Sequence, residues 1–313
     1  MDKVLVIDGN NTIHRSFHIA KIKTGSPSEL KERLITMFMR SIKLLVKKYD
    51  PDKVVIAWDK RQNVEGAKAL RKTINTQYKQ GRPTDNSLDV LYSSLVDIEI
   101  MLEHLDIINM FPIILEADDI MAHFSLNRPD DEVIIVSGDN DLLQLAGVND
   151  TIIYNPLKKI DYDRSTFIEK YDFAPEEFVF YKSLVGDNSD NIAGIPGVGE
   201  KTALKYIRGE KVLTEDQKKI VRNNTIMMDL RLINANTKNI VNEREDYESQ
   251  IDKKWDYNYR DALRFDDFKD LACLLAPELL NQLGDWKAVF KQSQKPTNTK
   301  SLNKMIGNFD FLT

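Results

Sequence analysis

The sequence predicts an α/β fold: a mostly parallel sheet with flanking helices, joined to a helical C-terminal half. Three observations predict it. From residue 1 to about 155, short β-branched runs alternate with amphipathic helical stretches. Acidic residues (Asp8, Asp59, Glu116 and Asp139) recur where a predicted strand gives way to a loop or helix, as at the ligand-lining edge of an open α/β sheet. From about 156 to 290 the apolar spacing is helical.

The elements follow in order. Val4–Asp8 reads as the first strand, and Ser28 as the cap of a helix whose apolar positions are Leu30, Leu34, Phe38, Ile42, Leu45 and Tyr49. Lys53–Asp59 is the next strand. A helix over about 87–105 carries Leu88, Leu91, Leu95, Ile98, Leu102 and Leu105, and a strand is expected near 113–115. Ala117-Asp118-Asp119 opens another helix, Glu132–Ser137 is a strand, and Thr151–Tyr154 closes the sheet. These make a domain of 1–155. In the region 156–290, Pro175-Glu176-Glu177 starts a helix ending near Val185, a glycine hairpin follows, and Lys201–Arg208 begins the next helix. Segment 291–300 has no apolar residue and reads as a flexible linker. Beyond it, 301–313 carries Leu302, Met305, Ile306, Phe309, Phe311 and Leu312, which need a partner to bury them.

The 313 residues, 42% apolar and 9% aromatic, suffice for a sizeable core. Neither a signal peptide nor a long uncharged apolar stretch is present, so a cytoplasmic location without a membrane is expected. The single cysteine, Cys273 in Leu-Ala-Cys-Leu-Leu, excludes an internal disulfide and is expected as a small buried hydrophobe. His14, His18, His104 and His123 lack metal-ligand spacing and read as surface or satisfied core residues. There is no P-loop, so ATP is not implied. The net charge of −5 is distributed unevenly: Lys60, Arg61, Lys68, Arg71, Lys72, Lys79 and Arg82 make a basic stretch that can steer DNA despite an acidic whole.

Two runs carry the chemistry. Leu115-Glu-Ala-Asp-Asp119, with Asp187 and Asp190, supplies oxygen ligands for a hard cation such as Mg²⁺. Gly186–Ala203 reads as a glycine-rich hairpin between helices, able to offer backbone N–H groups to a nucleic-acid phosphate. Any one strand-end acid could be a plain helix cap, but four at matching strand ends make that account hard to sustain. A dehalogenase-type phosphatase also uses strand-end aspartates. Its first strand should end Asp-x-Asp, whereas Asp8 is followed by Gly9-Asn10.

Six blocks in order resemble the 5′ nuclease family, which includes flap endonucleases, bacteriophage enzymes of the 5′-exonuclease or ribonuclease H type and the 5′ nuclease domain of bacterial DNA polymerase I. They are Val-Ile-Asp-Gly-Asn-Asn (6–11), Ala-Trp-Asp-Lys (57–60), Gln-Tyr-Lys-Gln-Gly-Arg-Pro (77–83), Leu-Glu-Ala-Asp-Asp-Ile (115–120), Val-Ser-Gly-Asp-Asn-Asp-Leu-Leu-Gln-Leu (136–145) and the 186–203 run. The resemblance implies a PIN-like core with a helical arch at about 60–86 and a helix-hairpin-helix element at 186–208. It also implies two or more Mg²⁺ ions, with Mn²⁺ as a substitute. Asp8, Asp59, Glu116 and Asp118 match the ligands of the first metal, and Asp119, Asp139, Asp141, Asp187 and Asp190 those of the second. Lys79 and Arg82 match residues that grip the scissile phosphate. Arg15, Arg71 and Tyr78 match DNA contacts, joined by Gly197, Gly199 and Lys201 of the hairpin, where K⁺ is also implied. The run between Asp59 and Arg71 is longer here than in bacterial relatives, which leaves the arch geometry open.

What the resemblance implies is a metal-dependent flap endonuclease and 5′→3′ exonuclease, standing alone without a polymerase and acting in replication in a bacterial or phage-infected cell. Its substrates would be DNA with a 5′ flap or 5′ end and RNA primers in RNA–DNA hybrid. The alternative is a catalytically silent factor that binds DNA structure. Segment 301–313 resembles the terminal peptides that dock on sliding clamps, with Ile306, Phe309 and Phe311 as anchors.

Overall fold

In a computed structural model, residues 1–22, 25–59, 71, 88–256, 259 and 264–290 are described, with the backbone alone at 88, 282–284 and 287. β1 (Lys3–Asp8), β2 (Lys53–Ala57), β3 (Ile108–Met110), β4 (Glu132–Val136), β5 (Ile152–Asn155) and β6 (Ile160–Tyr162) form one sheet in the order β3-β2-β1-β4-β5-β6. All pairings are parallel except β5 with β6. The strand order turns back between β1 and β4, the switch point at which such sheets open a crevice beyond their carboxyl ends.

Alternation along the strands explains why they read as continuous apolar runs. Leu5, Ile7, Val54, Ile56, Ile134 and Val136 belong to the core on one face, while Val4, Val6, Val55, Ala57, Val133 and Ile135 belong to the core on the other. Burying each such side chain contributes about 1.5–3 kcal/mol, so both faces must be covered. The first is covered by α1 (Gly9–Lys21), α2 (Pro27–Tyr49), the Leu88–His104 helix and the returning helices Phe265–Leu275 and Leu283–Phe290. The second is covered by the Ala117–Asn127 and Lys238–Lys254 helices. The return is pinned where the Tyr259 hydroxyl donates to the Pro51 carbonyl at 2.7 Å. Trp286 and Phe290 stack beside it at 5.3 Å.

The helical half continues with Arg164–Tyr171 and Phe178–Val185, then a small antiparallel pair, β7 (Gly186–Asp187) and β8 (Ile192–Ala193). Helices Glu200–Ile207 and Glu215–Met228 follow. Among the described residues no helix is long and apolar enough to cross a membrane.

Several expectations are corrected. The strand expected near 113–115 lies at Ile108–Met110. Pro112 has no N–H to donate to a ladder, and the N–H groups of Phe111, Ile113 and Ile114 are taken by the side chains of Gln250 and Glu243. The second helix is capped by Ser26, whose Oγ accepts the Glu29 N–H at 3.2 Å, because Pro27 suits the first helical position. Helix α1 was not anticipated. The sheet does not close at Tyr154, since β6 adds an antiparallel edge. Cys273 is exposed, because its helix turns Phe265, Phe268 and Ala272 inward and the next position points out.

Candidate active site

The end of β1 delivers Asp8 directly into the N-terminus of α1, where its Oδ1 accepts the Asn11 N–H at 2.8 Å. Its Oδ2 accepts the Ser137 hydroxyl at 2.7 Å across the switch point. The same hydroxyl oxygen accepts the Asp139 N–H at 3.0 Å, and Asp139 Oδ1 accepts the Asp141 N–H at 2.8 Å. Asp59, beyond β2, is fixed from both sides: its N–H donates to Asn10 Oδ1 at 2.9 Å, and its Oδ1 accepts the Ala117 N–H at 3.0 Å. The cap role and the site role therefore coincide.

Asp8 is only 6% exposed. Burial, with the charges of Asp59 and Asp139, outweighs the hydrogen bonds from Asn11 and Ser137 and pushes its carboxyl up to about 7. Asp141 is pushed up to about 6, chiefly by burial and then by Asp139, against the opposing pull of Lys182. Lys182 Nζ stands 2.8 Å from Asp141 Oδ1 and is also paired with Asp187. Burial would lower its pKa, but the two carboxylates raise it above the ordinary lysine range. Burial raises Asp187, yet Lys182 and Ser189 hold it below the usual carboxylate value. Asp187 Oδ1 also takes the Ser189 N–H at 2.7 Å and the Asp190 N–H at 3.3 Å.

A second cluster lies at the start of the Ala117–Asn127 helix. Arg71, expected among the DNA contacts, is 3% exposed and faces inward. Its Nη1 and Nη2 hold Asp119 at 2.6 and 2.9 Å, Nη1 reaches Glu116 at 3.0 Å, and Nε donates to the Met227 carbonyl at 3.0 Å. Asp119, expected among the metal ligands, has no exposed surface, and both its oxygens are engaged by Arg71 and the Glu116 N–H. A buried carboxylate without such a partner would be costly, so the fork of Arg71 fixes Asp119 as a brace. Asp118 is half-buried in the first turn of that helix.

The structure thus brings Asp59 and Asp139 within electrostatic reach of Asp8, and Asp139 and Asp187 within reach of Asp141. Among the described residues no three or more of His, Cys, Asp and Glu are drawn close enough to form a ready metal cage. Arg15 on α1 is half-buried near Tyr154 and Asp8; burial lowers its pKa and its Nη1 makes no hydrogen bond. In the hairpin, Gly197 has φ +75° and a Cβ there or at Gly199 would meet nothing within 4 Å, so the backbone stands open to a ligand. Lys201 is exposed in the first turn of the next helix. Tyr78, Lys79 and Arg82, the rest of the arch at 60–86 apart from Arg71, the linker 291–300 and Ile306, Phe309 and Phe311 lie outside the described residues.

Sequence reasoning missed Lys182, Ser137, Asn10 and Asn11. The last three lie inside the recognised blocks 6–11 and 136–145, where a polar residue beside a strand-end acid is a readable signal. Lys182 had none: its partners lie five residues away in one case and in the other domain in the other.

Comparison with known proteins agrees with this geometry. Residues 3–172 match the family of the 5′-3′ exonuclease N-terminal resolvase-like domain, and 173–249 the 5′-3′ exonuclease C-terminal SAM fold. A 5′-3′ exonuclease of Aquifex aeolicus is 31% identical over 214 residues, 66% of this chain and 70% of that protein. The bacteriophage T5 D15 protein, co-crystallised with metal ions, shares the fold at a TM-score of 0.62 and 20% identity, over 79% of this chain and 99% of that one. A complex of the T5 D15 flap endonuclease with DNA and metal ions gives 0.61 and 19%, over 80% and 99%. With both halves of the family pattern matched in order along one chain, this protein belongs to the 5′-3′ exonuclease family and is a nuclease.

Proposed function

We propose that this nuclease hydrolyses phosphodiesters at 5′ flaps and 5′ ends of DNA, and in RNA primers paired to DNA, with divalent metal ions and in the cytoplasm. One observation carries the reading: Asp8, Asp59 and Asp139 from three strand ends and Asp187 from the hairpin region gather at the switch point, where burial and like charge push Asp8 and Asp141 up. Such a set of hard oxygen donors suits Mg²⁺ or Mn²⁺. Asp8, Asp59, Glu116 and Asp118 would hold one ion, and Asp139, Asp141, Asp187 and Asp190 would hold or approach a second, with Asp119 braced by Arg71. When bound, the ions lower the pKa of a coordinated water and neutralise charge on the phosphate.

The remaining work belongs to the chain. The Asn11 N–H and the Ser137 hydroxyl hold the Asp8 carboxylate, the Ala117 N–H holds that of Asp59, and Asn10 holds the Asp59 backbone, which preorganises the site. Lys79 and Arg82 grip the scissile phosphate, Tyr78 stacks on a base, and Arg15 reaches a phosphate. The open backbone at Gly197 and Gly199, with Lys201, seats the duplex without reading its sequence, and a K⁺ in the hairpin would add positive charge there. A silent DNA-binding factor would be free to lose its carboxylates, and this chain keeps them.

The test compares cleavage of 5′-flap, nicked, blunt and RNA-primed duplexes, with Mg²⁺ and with EDTA, by the natural protein and by Asp187→Asn. Flap cleavage that needs Mg²⁺ and falls at least about a hundredfold in the variant, while duplex binding persists, is the expected result. Cleavage indifferent to both EDTA and Asp187→Asn would refute it.

A further inference from the structure

Gln144 lies in the short 3₁₀ turn Asp141–Leu145 that follows β4, and is 8% exposed. Its side-chain amide faces a stretch of main chain more than eighty residues away. Nε2 donates to the Met228 carbonyl at 3.0 Å and Oε1 accepts the Leu230 N–H at 2.9 Å. This is the pattern one strand residue makes with its neighbour, and among side chains of this length only glutamine supplies both a donor and an acceptor. The same Nε2 donates to the Asp141 carbonyl at 2.9 Å, so one amide ties the backbone of Asp141 to the end of the Glu215–Met228 helix. One residue earlier, the Met227 carbonyl accepts Arg71, which holds Glu116 and Asp119. That helix packs on the Phe178–Val185 helix, which carries Lys182 to Asp141 and Asp187 and leads into the hairpin. Asn224 on its preceding turn donates to the carbonyls of Ser183 and Ala193, on either side of β7.

We propose that Gln144 is a positioning residue that sets the register between the duplex-holding hairpin and the strand-end carboxylates. Residues 227–230 form a junction: Arg71 grips it for the Glu116 cluster and Gln144 for the Asp141 loop. A duplex seated on the hairpin is thereby held at a fixed distance from the reacting centre, and the cut falls at one phosphodiester. The inference rests on the nuclease reading above. It is a coupling between two sites, and coupling of this kind is reciprocal.

The test uses the full chain with a 5′-flap duplex labelled at its 5′ end. Gln144→Met keeps nearly the same volume and removes both ends of the clamp. It should leave duplex affinity measured in Ca²⁺ within about threefold, lower the single-turnover rate about tenfold or more, and spread the cuts over neighbouring phosphodiesters. Unchanged rate and cut position in a folded Gln144→Met protein would overturn the proposal. Should that variant not fold, hydrogen exchange on the natural protein decides: the Leu230 amide should exchange more slowly when the flap duplex is bound in Ca²⁺, and no change there would equally overturn it. Failure of the natural protein itself to cut the flap with Mg²⁺ would instead strike the nuclease reading.

Discussion

A carboxyl group buried among like charges favours chemistry at the expense of stability, and Asp8 shows the conflict most plainly. Its folded pKa of about 7 lies above the ordinary value of 3.8, so in the window between them the folded protein binds more protons than the unfolded chain. The contribution is fully present below the lower value and is lost as pH rises through the upper one. Thermal melts in EDTA should therefore show stability from this group falling between about pH 4 and about pH 7, and Asp8→Asn should melt higher than the natural protein at pH 8 while failing to cleave. A variant that melts lower at pH 8 and keeps the same slope would contradict this. The acids themselves were legible in the sequence, because charged oxygen donors at strand ends announce themselves by type and place. Their partners were less so. Arg71 looked like another basic residue of the arch until the fold turned it inward onto Asp119, and Lys182 and Gln144 depend on chain segments that no local spacing brings together.

Among the elements, the hairpin separates two uses of glycine. Gly186, at φ +82°, and Gly194 lie backbone against backbone: a Cβ at 194 would land on the Val185 carbonyl group and 2.6 Å from the Gly186 nitrogen. Gly199 has ordinary φ and open space around it. Gly194→Ala should therefore lower stability by about 3 kcal/mol or more in denaturant melts, as overpacking against main chain does. Gly199→Ala should leave the melt within about 0.5 kcal/mol and weaken duplex binding. Equal melts for the two variants would show that the close approach is relieved elsewhere. Most elements were readable because their period is clear; the first, second and fourth strands and the Leu88–His104 helix fall where the apolar pattern puts them. The third strand was not, since Ile-Asn-Met at 108–110 offers only three residues while Ile113, Ile114 and Leu115 look more strand-like. Tertiary hydrogen bonds from Glu243 and Gln250 decided against them.

For the whole molecule, the sheet and the helical half share one active edge, and the chain then returns to seal the opposite side. The segment 301–313, proposed to dock on a sliding clamp through Ile306, Phe309 and Phe311, would work by tethering, which raises local concentration without altering the site. Its deletion should leave cleavage of free flap oligonucleotides unchanged and abolish stimulation by the cognate clamp, measured as initial rates with and without loaded clamp. Loss of basal activity on deletion would assign those residues to the core instead. The return of the chain has its own outcome. Phe265, Phe268, Trp286 and Phe290 cover the face formed by Leu34, Phe38 and Ile42, near the other end of the sequence. The stretch matched by the family models ends at 249, before any of them. During synthesis these side chains cannot cover that face until the ribosome has delivered the returning helices. Removal of residues 265–290 would bare it again.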